Sequence, residues 1–159
     1  MKIRILCVGK IKEKYFTDAI KEYQKRLSRY CTLEIDEVGD EKTPDGASQR
    51  EEDLIRDKEG DRLLSKIREG DYVVVTAIKG RTYTSEELSA HLEDLMNHGR
   101  SAIDLVIGGS LGLSRAVIKR ADESLSFSDL TFPHQLMRVL LLEQIYRSFK
   151  IMRHEPYHK

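Results

Sequence analysis

Ile103-Asp104-Leu105-Val106-Ile107-Gly108-Gly109-Ser110-Leu111-Gly112-Leu113 is the stretch on which the fold turns. Its first five residues form a short apolar, partly β-branched run, the mark of a buried strand. Two adjacent glycines then break the run. Paired glycines after a buried strand let the backbone approach a ligand closely and leave its N–H groups free to bond it. The spacing is G-G-x-x-G. It is not the dinucleotide fingerprint G-x-G-x-x-G, and no Lys-Ser/Thr pair follows as in a phosphate-binding loop. A tight strand-to-helix turn and a ligand-contacting turn fit these residues equally well.

Strand and helix patterns alternate outward from this stretch. Upstream, residues 72–77 (Tyr-Val-Val-Val-Thr-Ala) form a continuous apolar run, as a central parallel strand requires. Residues 3–8 predict a further buried strand, 32–38 a half-exposed one, and 125–127 a last short one. Apolar residues at helical spacing predict helices over 11–30 and over 50–67. The second has Leu54, Ile55, Leu63, Leu64 and Ile67 inside, is weakened by Gly60 at a cost of about 1 kcal/mol relative to Ala, and is stopped by Gly70. Thr84 and Glu87 make a capping box that opens a helix to about residue 97, closed by His98-Gly99. Residues 115–120 form a short helix, and Pro133 opens a long one to about residue 150. Residues 39–49, with Gly39, Pro44 and Gly46, are a loop. The pattern predicts one α/β domain over residues 1–159, with a mainly parallel sheet and helices on both faces. The last helix is apolar over more than one stripe (Leu136, Met137, Val139, Leu140, Leu141, Leu142, Ile145, Tyr146, Phe149). It should pack on the sheet with one side and on a second subunit with the other.

The chain has 159 residues, 40% apolar and 34% charged, with 27 basic and 27 acidic side chains. No apolar segment approaches the length of a membrane span, and the first strand is too short for a signal peptide, so a cytoplasmic, membrane-free protein is expected. Cys7 and Cys31 show no metal spacing and read as buried thiols. Zero net charge argues against a free-standing nucleic-acid binder, but the charge is uneven. Residues 1–30 carry nine Lys/Arg against three Asp/Glu, residues 31–61 four against twelve, and residues 133–159 five against two plus three His. Two basic ends flank an acidic middle, either as ordinary solvated faces or as an RNA-facing surface built from both ends.

Ligands of open α/β sheets bind beyond the carboxyl ends of the strands. Three segments lie there, after Ala77, after Ile107 and after Phe127. In the last, Phe127-Ser128-Asp129-Leu130-Thr131-Phe132 alternates small polar and apolar residues ahead of a helix start. Such a segment can read a flat heterocycle with backbone groups and pack Phe or Leu on its face, or it can simply lead into the helix. The terminal Arg153-His154-Glu155-Pro156-Tyr157-His158-Lys159 is dense in groups suited to phosphate contact, proton transfer and base stacking, although chain ends usually fray. No serine sits in a nucleophile elbow. His154 and His158 cannot form a helical zinc pair across Pro156, and no metal site is expected.

Four segments together resemble the ribosomal RNA large subunit methyltransferase H family. They are Ile5-Leu6-Cys7-Val8-Gly9-Lys10-Ile11-Lys12, the glycine turn, the 125–138 run and the final Pro156-Tyr157-His158-Lys159. The resemblance runs in order from Met1 to Lys159. It implies a SPOUT fold with a deep C-terminal trefoil knot, and a homodimer. It implies S-adenosylmethionine as cofactor and N3 of a pseudouridine in 23S rRNA of the assembled 70S ribosome as the methyl acceptor. The family's cofactor contacts fall on Thr76, Gly108, Phe127, Ser128, Asp129, Leu130, Thr131 and Phe132. The tail supplies the catalytic candidates: His158 and Tyr157 near the base, and Arg153 on phosphate or carbonyl. Two positions depart from the family pattern, Thr76 where Leu is usual and His154 where Gly is. The rival readings are a SPOUT enzyme with another RNA target and a non-enzymatic nucleotide-binding ribosome factor.

Overall fold

β1 (Lys2–Val8) alternates two sets of side chains across the sheet. Ile3, Ile5 and Cys7 face one layer of helices, and Leu6 and Val8 face the other. The same period of two places Ile103, Leu105 and Ile107 of β4 (Ala102–Ile107) on the first face and Val106 on the second. β3 (Tyr72–Arg81) gives Val74 to the first and Val73 and Val75 to the second. With β2 (Thr32–Val38) and β5 (Glu123–Leu125) these form a five-stranded sheet of order β2-β1-β4-β3-β5, parallel throughout. These relations come from a computed structural model that describes residues 1–100 and 102–159.

α1 (Lys14–Leu27), α3 (Ser85–Asn97) and α5 (His134–Met152) cover the first face, burying Leu27, Leu92, Leu95, Leu141, Leu142, Ile145 and Phe149 against it. α2 (Gln49–Leu64) and α4 (Arg115–Arg120) cover the second through Leu63 and Val117. The expected α/β architecture, a parallel sheet with helices on both faces, is therefore present. The Thr84–Glu87 capping box forms as read, and Ser48 with Glu51 makes a second one at α2.

Boundaries move where tertiary contacts outweigh the local pattern. α1 begins at Lys14 rather than 11. α2 ends at Leu64 rather than 67, and its inner stripe runs through Glu59, Gly60 and Leu63, which leaves Leu54 exposed. Gly60 is a packing residue there: a Cβ would lie 2.2 Å from Ser114 Oγ, so the glycine admits α4 against α2. β5 pairs over 123–125 rather than 125–127: the Ser126 N–H still bonds the Arg81 carbonyl at 2.8 Å, and from Phe127 the chain leaves β3 and lines the cleft described below. β3 runs on to Arg81.

Candidate active site

The carboxyl ends of β3, β4 and β5 surround a cleft of about 850 Å³, within the range of small-molecule sites. At its floor the Thr76 hydroxyl donates to the Val106 carbonyl at 3.2 Å, tying β3 to β4. Thr76 and Arg81 both pair with Leu125, so residues 77–80 loop out of the ladder as a bulge. Gly80 makes this possible: a Cβ there would lie 2.6 Å from the Leu125 carbonyl carbon. The bulge carries Ile78 and Lys79 to the cleft wall.

The glycine turn forms the second wall. Gly112, at φ +85°, donates its N–H to the Gly109 carbonyl at 3.0 Å and folds the turn back on itself. A Cβ on Gly108 would lie 2.8 Å from the Gly112 carbonyl carbon, so only glycine fits. Arg56 Nη1 donates to the Leu111 carbonyl at 3.3 Å and holds the turn from α2. Below it, the buried Glu59 carboxylate lies 3.1 Å from where a Gly109 Cβ would stand. Burial raises the pKa of Glu59 above the ordinary carboxylate value. Glu59 packs behind the turn and is not among the residues that line the cleft.

The segment from Ser126 to Pro133 forms the third wall. Ser128 Oγ accepts from the Leu130 N–H at 3.0 Å, and the Ser126 hydroxyl donates to the Ser128 carbonyl at 3.3 Å. Ile78 (49% exposed), Ile118 (46%) and Leu130 (70%) make an apolar lip. No carboxylate is among the lining residues. A ligand here would be held by backbone groups, hydroxyls and apolar faces.

Thr76, Gly108, Phe127, Ser128, Leu130, Thr131 and Phe132 all line the cleft, whereas Asp129 is exposed outside it. Sequence reasoning passed over Ile78, Lys79, Ile118 and Met137. The position after Ala77 was a signal for the first two, but nothing local marks Ile118 or Met137.

Arg138, 1% exposed, fixes the start of α5 beside the cleft. It donates to the carbonyls of Val8 (2.8 Å) and Gly9 (2.6 Å) and pairs with Glu37 at 2.8 Å. His134, in the first turn of the helix, lines the cleft. Burial, and then the nearby Arg138 charge, lower its pKa, which favours a neutral ring.

The tail does not line its own chain's cleft. It turns back along α5, where Glu155 accepts from Tyr30 and Lys150, each at 2.6 Å. Arg153 stacks over Tyr30 at 5.5 Å. The Tyr157 hydroxyl donates to Glu143 at 3.1 Å, and its ring meets Tyr146 edge-on. Burial above all pushes the Tyr157 phenol up to about 12. His158 bonds Glu86 at 2.6 Å and approaches Arg147 at 3.3 Å. Among the described residues no cluster of His, Cys, Asp and Glu could hold a metal, and no helix is long and apolar enough to cross a membrane.

Comparison with known proteins converges on one group. A family model described as "Predicted SPOUT methyltransferase" matches residues 1–158. The chain is 58% identical over 159 residues to the ribosomal RNA large subunit methyltransferase H of Clostridium acetobutylicum and 60% identical to that of Bifidobacterium adolescentis, with 100% of each chain covered. A solved structure of a probable methylase family protein from Haemophilus influenzae Rd KW20 superposes at TM-score 0.57. It covers 99% of this chain and 70% of that one at 12% identity, a likeness of fold alone. Matched by the family model over all but its last residue, and by these relatives end to end, the chain belongs to the SPOUT methyltransferase family.

Proposed function

We propose that the chain is a cytoplasmic homodimeric enzyme that transfers the methyl group of S-adenosylmethionine to N3 of a pseudouridine in 23S rRNA of the assembled ribosome. The names of the full-length relatives support ribosomal RNA as substrate class. The observation that carries the cofactor reading is the cleft itself: apolar at its lip, walled by backbone and hydroxyls, and free of carboxylates. The residues present fit an adenosine-type group. Leu130, Ile78 and Phe132 would flank the flat ring, Gly108 and the 127–132 backbone would bond its edges, and Lys79 would pair with the methionine carboxylate. Asp129, exposed outside the lining, would contribute through its backbone alone. The G-G-x-x-G spacing, with no Lys-Ser/Thr pair after it, speaks against the rival of a nucleotide-phosphate binder.

The cofactor supplies an electrophilic methyl on a sulfonium, a leaving group that needs no protonation. The protein must therefore align donor and acceptor and accommodate the N3 proton. Arg153, Tyr157 and His158 are the groups assigned to the acceptor. Their place on the outer side of α5 suits service to the cleft of a second subunit. Half-exposed Leu136, Val139 and Leu140 on α5 provide the apolar face for that subunit. The trefoil knot belongs to the same reading. It is consistent with β4 inserted between β1 and β3, and with a chain that returns from the outer strand β5 to place Arg138 on the end of β1.

The test is thermal shift with S-adenosylmethionine, ATP and GTP, followed by mass mapping of 23S rRNA from cells lacking the gene, before and after treatment of their ribosomes with the protein. Stabilisation by S-adenosylmethionine and one restored methyl on a pseudouridine are expected. Stabilisation by a nucleotide alone would sink the reading.

A further inference from the structure

Basic and acidic side chains balance in this chain, so a polyanion must meet a local surface rather than an overall charge. Of the two basic ends, the fold neutralises one. Arg138 is buried against Glu37, Arg147 pairs with Glu143, and Lys150 pairs with Glu155. At the other end Lys10 and Lys12 are offset as well. They line a second cleft, of about 500 Å³ at the carboxyl ends of β1 and β2, whose walls include Glu13, Glu37, Asp40 and His134.

The charge that remains lies on α1. Its two acids are each taken by a partner four residues away, Asp18 by Lys14 at 2.5 Å and Glu22 by Arg26 at 2.9 Å. Lys21, Lys25 and, in the turn after the helix, Arg29 are exposed and pair with no carboxylate among the described residues. Lys14, Lys21 and Lys25 recur at i, i+7 and i+11, which sets them on one face. Like charges four apart, as at Lys21 and Lys25, weaken a helix, so stability gives no reason for this row. Arg26 lies over the Tyr146 ring at 5.7 Å, so its side of α1 is the one turned to α5. Lys21 and Lys25 stand more than a quarter turn around the helix from it, and stay open when a second subunit covers α5. Past the end of α1, Arg153 stacks over Tyr30, so the row finishes beside the tail that carries Tyr157 and His158.

We propose that this face of α1 docks the chain on ribosomal RNA, with Lys21, Lys25 and Arg29 on backbone phosphates and Arg153 continuing the row to the tail. The inference rests on the function proposed above and adds to it the surface that holds the substrate. Phosphate contacts fix position without reading sequence, and so few of them hold free RNA poorly at physiological salt. The row therefore orients a large preformed target so that its acceptor base meets the tail.

The test compares full-length Lys21→Gln/Lys25→Gln with Arg50→Gln/Lys58→Gln. The second pair removes the same charge from exposed positions of α2, on the opposite face of the sheet. Ribosomes from cells lacking the gene are used for sedimentation binding across a salt series and for methylation kinetics. The α1 pair should weaken ribosome binding and raise KM roughly 10-fold, and reduce the slope of log affinity against log salt by about 1–2. Its kcat, calorimetric Kd for S-adenosylmethionine and melting temperature should stay unchanged, and the α2 pair should match wild type throughout. Equal effects of the two pairs, no effect of either, or a fall in kcat at constant KM overturns the inference. Stronger binding of the wild type to anionic phospholipid vesicles than to ribosomes overturns it in favour of a membrane surface. If the wild type binds ribosomes without methylating them, the proposed function fails, and the sedimentation contrast between the pairs still decides the docking face.

Discussion

At the scale of single residues, missing or unusual side chains mark where the chain is constrained. Gly60 lies inside α2, where Ala would be favoured by about 1 kcal/mol on propensity. Its neighbour decides otherwise: a Cβ would meet Ser114 Oγ at 2.2 Å and Cβ at 2.9 Å, and Ser114 caps α4 through Val117 N–H. Gly60→Ala should therefore destabilise the fold by about 1–3 kcal/mol, the usual cost of overpacking, measured by urea denaturation. His154 is the opposite case. It holds φ +53° as the turn residue of a C-terminal cap in which Glu155 N–H bonds the Lys150 carbonyl and His154 N–H bonds that of Ile151. Glycine takes this conformation without strain, so His154→Gly should stabilise by about 1 kcal/mol, read from the same denaturation curves.

Asp104 is a residue-scale pH device. It is fully buried, with its carboxylate 3.1 Å from Arg4, yet burial outweighs that attraction and pushes its pKa up to about 6. A carboxyl group whose folded pKa lies above its unfolded value favours folding when protonated. Its contribution is present below about pH 4 and is lost as pH rises through about 6. Wild-type stability should thus fall relative to Asp104→Asn as the pH is raised from 4 to 7. A difference that is flat with pH in paired melts would contradict this assignment.

At the scale of elements, α5 matters most. Nineteen residues make it about 28 Å long, and it joins the cleft at its first turn to the tail at its last. Arg138→Ala would leave the Val8 and Gly9 carbonyls without their donor and Glu37 without its partner. A loss of about 3 kcal/mol or more is expected, together with weaker cofactor binding by calorimetry as the helix start loosens. The elements were largely legible in the sequence because each has its own period: two in β1 and β4, 3.6 in α3, and capping residues at Thr84 and Gly99. Legibility ended where partners are distant. Nothing local to Arg138 reveals that it is buried against β1. Nothing near Ala77 reveals the bulge that Leu125 imposes. The two-residue shift of β5 is set by its partner, since Leu125 pairs with both Thr76 and Arg81 and the Ser126 N–H bonds the Arg81 carbonyl.

At the scale of the molecule, the partly buried Leu136, Val139 and Leu140 lie together on the side of α5 turned away from Leu141, Leu142, Ile145 and Phe149, which pack into the core. If a second copy covers it, Val139→Arg should yield monomers by analytical ultracentrifugation and lose methylation of ribosomes, while the isolated chain keeps its helical circular dichroism. A dimer that persists would place the subunit contact elsewhere.

The sequence by itself determined the α/β class, the parallel sheet and the glycine turn. These follow from residue periodicity and from spacings of a few residues. It also marked Thr76, Gly108 and most of 127–132 through the resemblance that runs the length of the chain. Only the tertiary structure decided that Asp129 stands outside the cleft, that the tail lies along α5 away from its own chain's site, and that Glu59 closes the turn from below. It alone brought Glu13 and His134 to the walls of one cleft. Each of these depends on residues far apart in the chain meeting in space, and such meetings are set by how helices pack on the sheet, which no local pattern encodes.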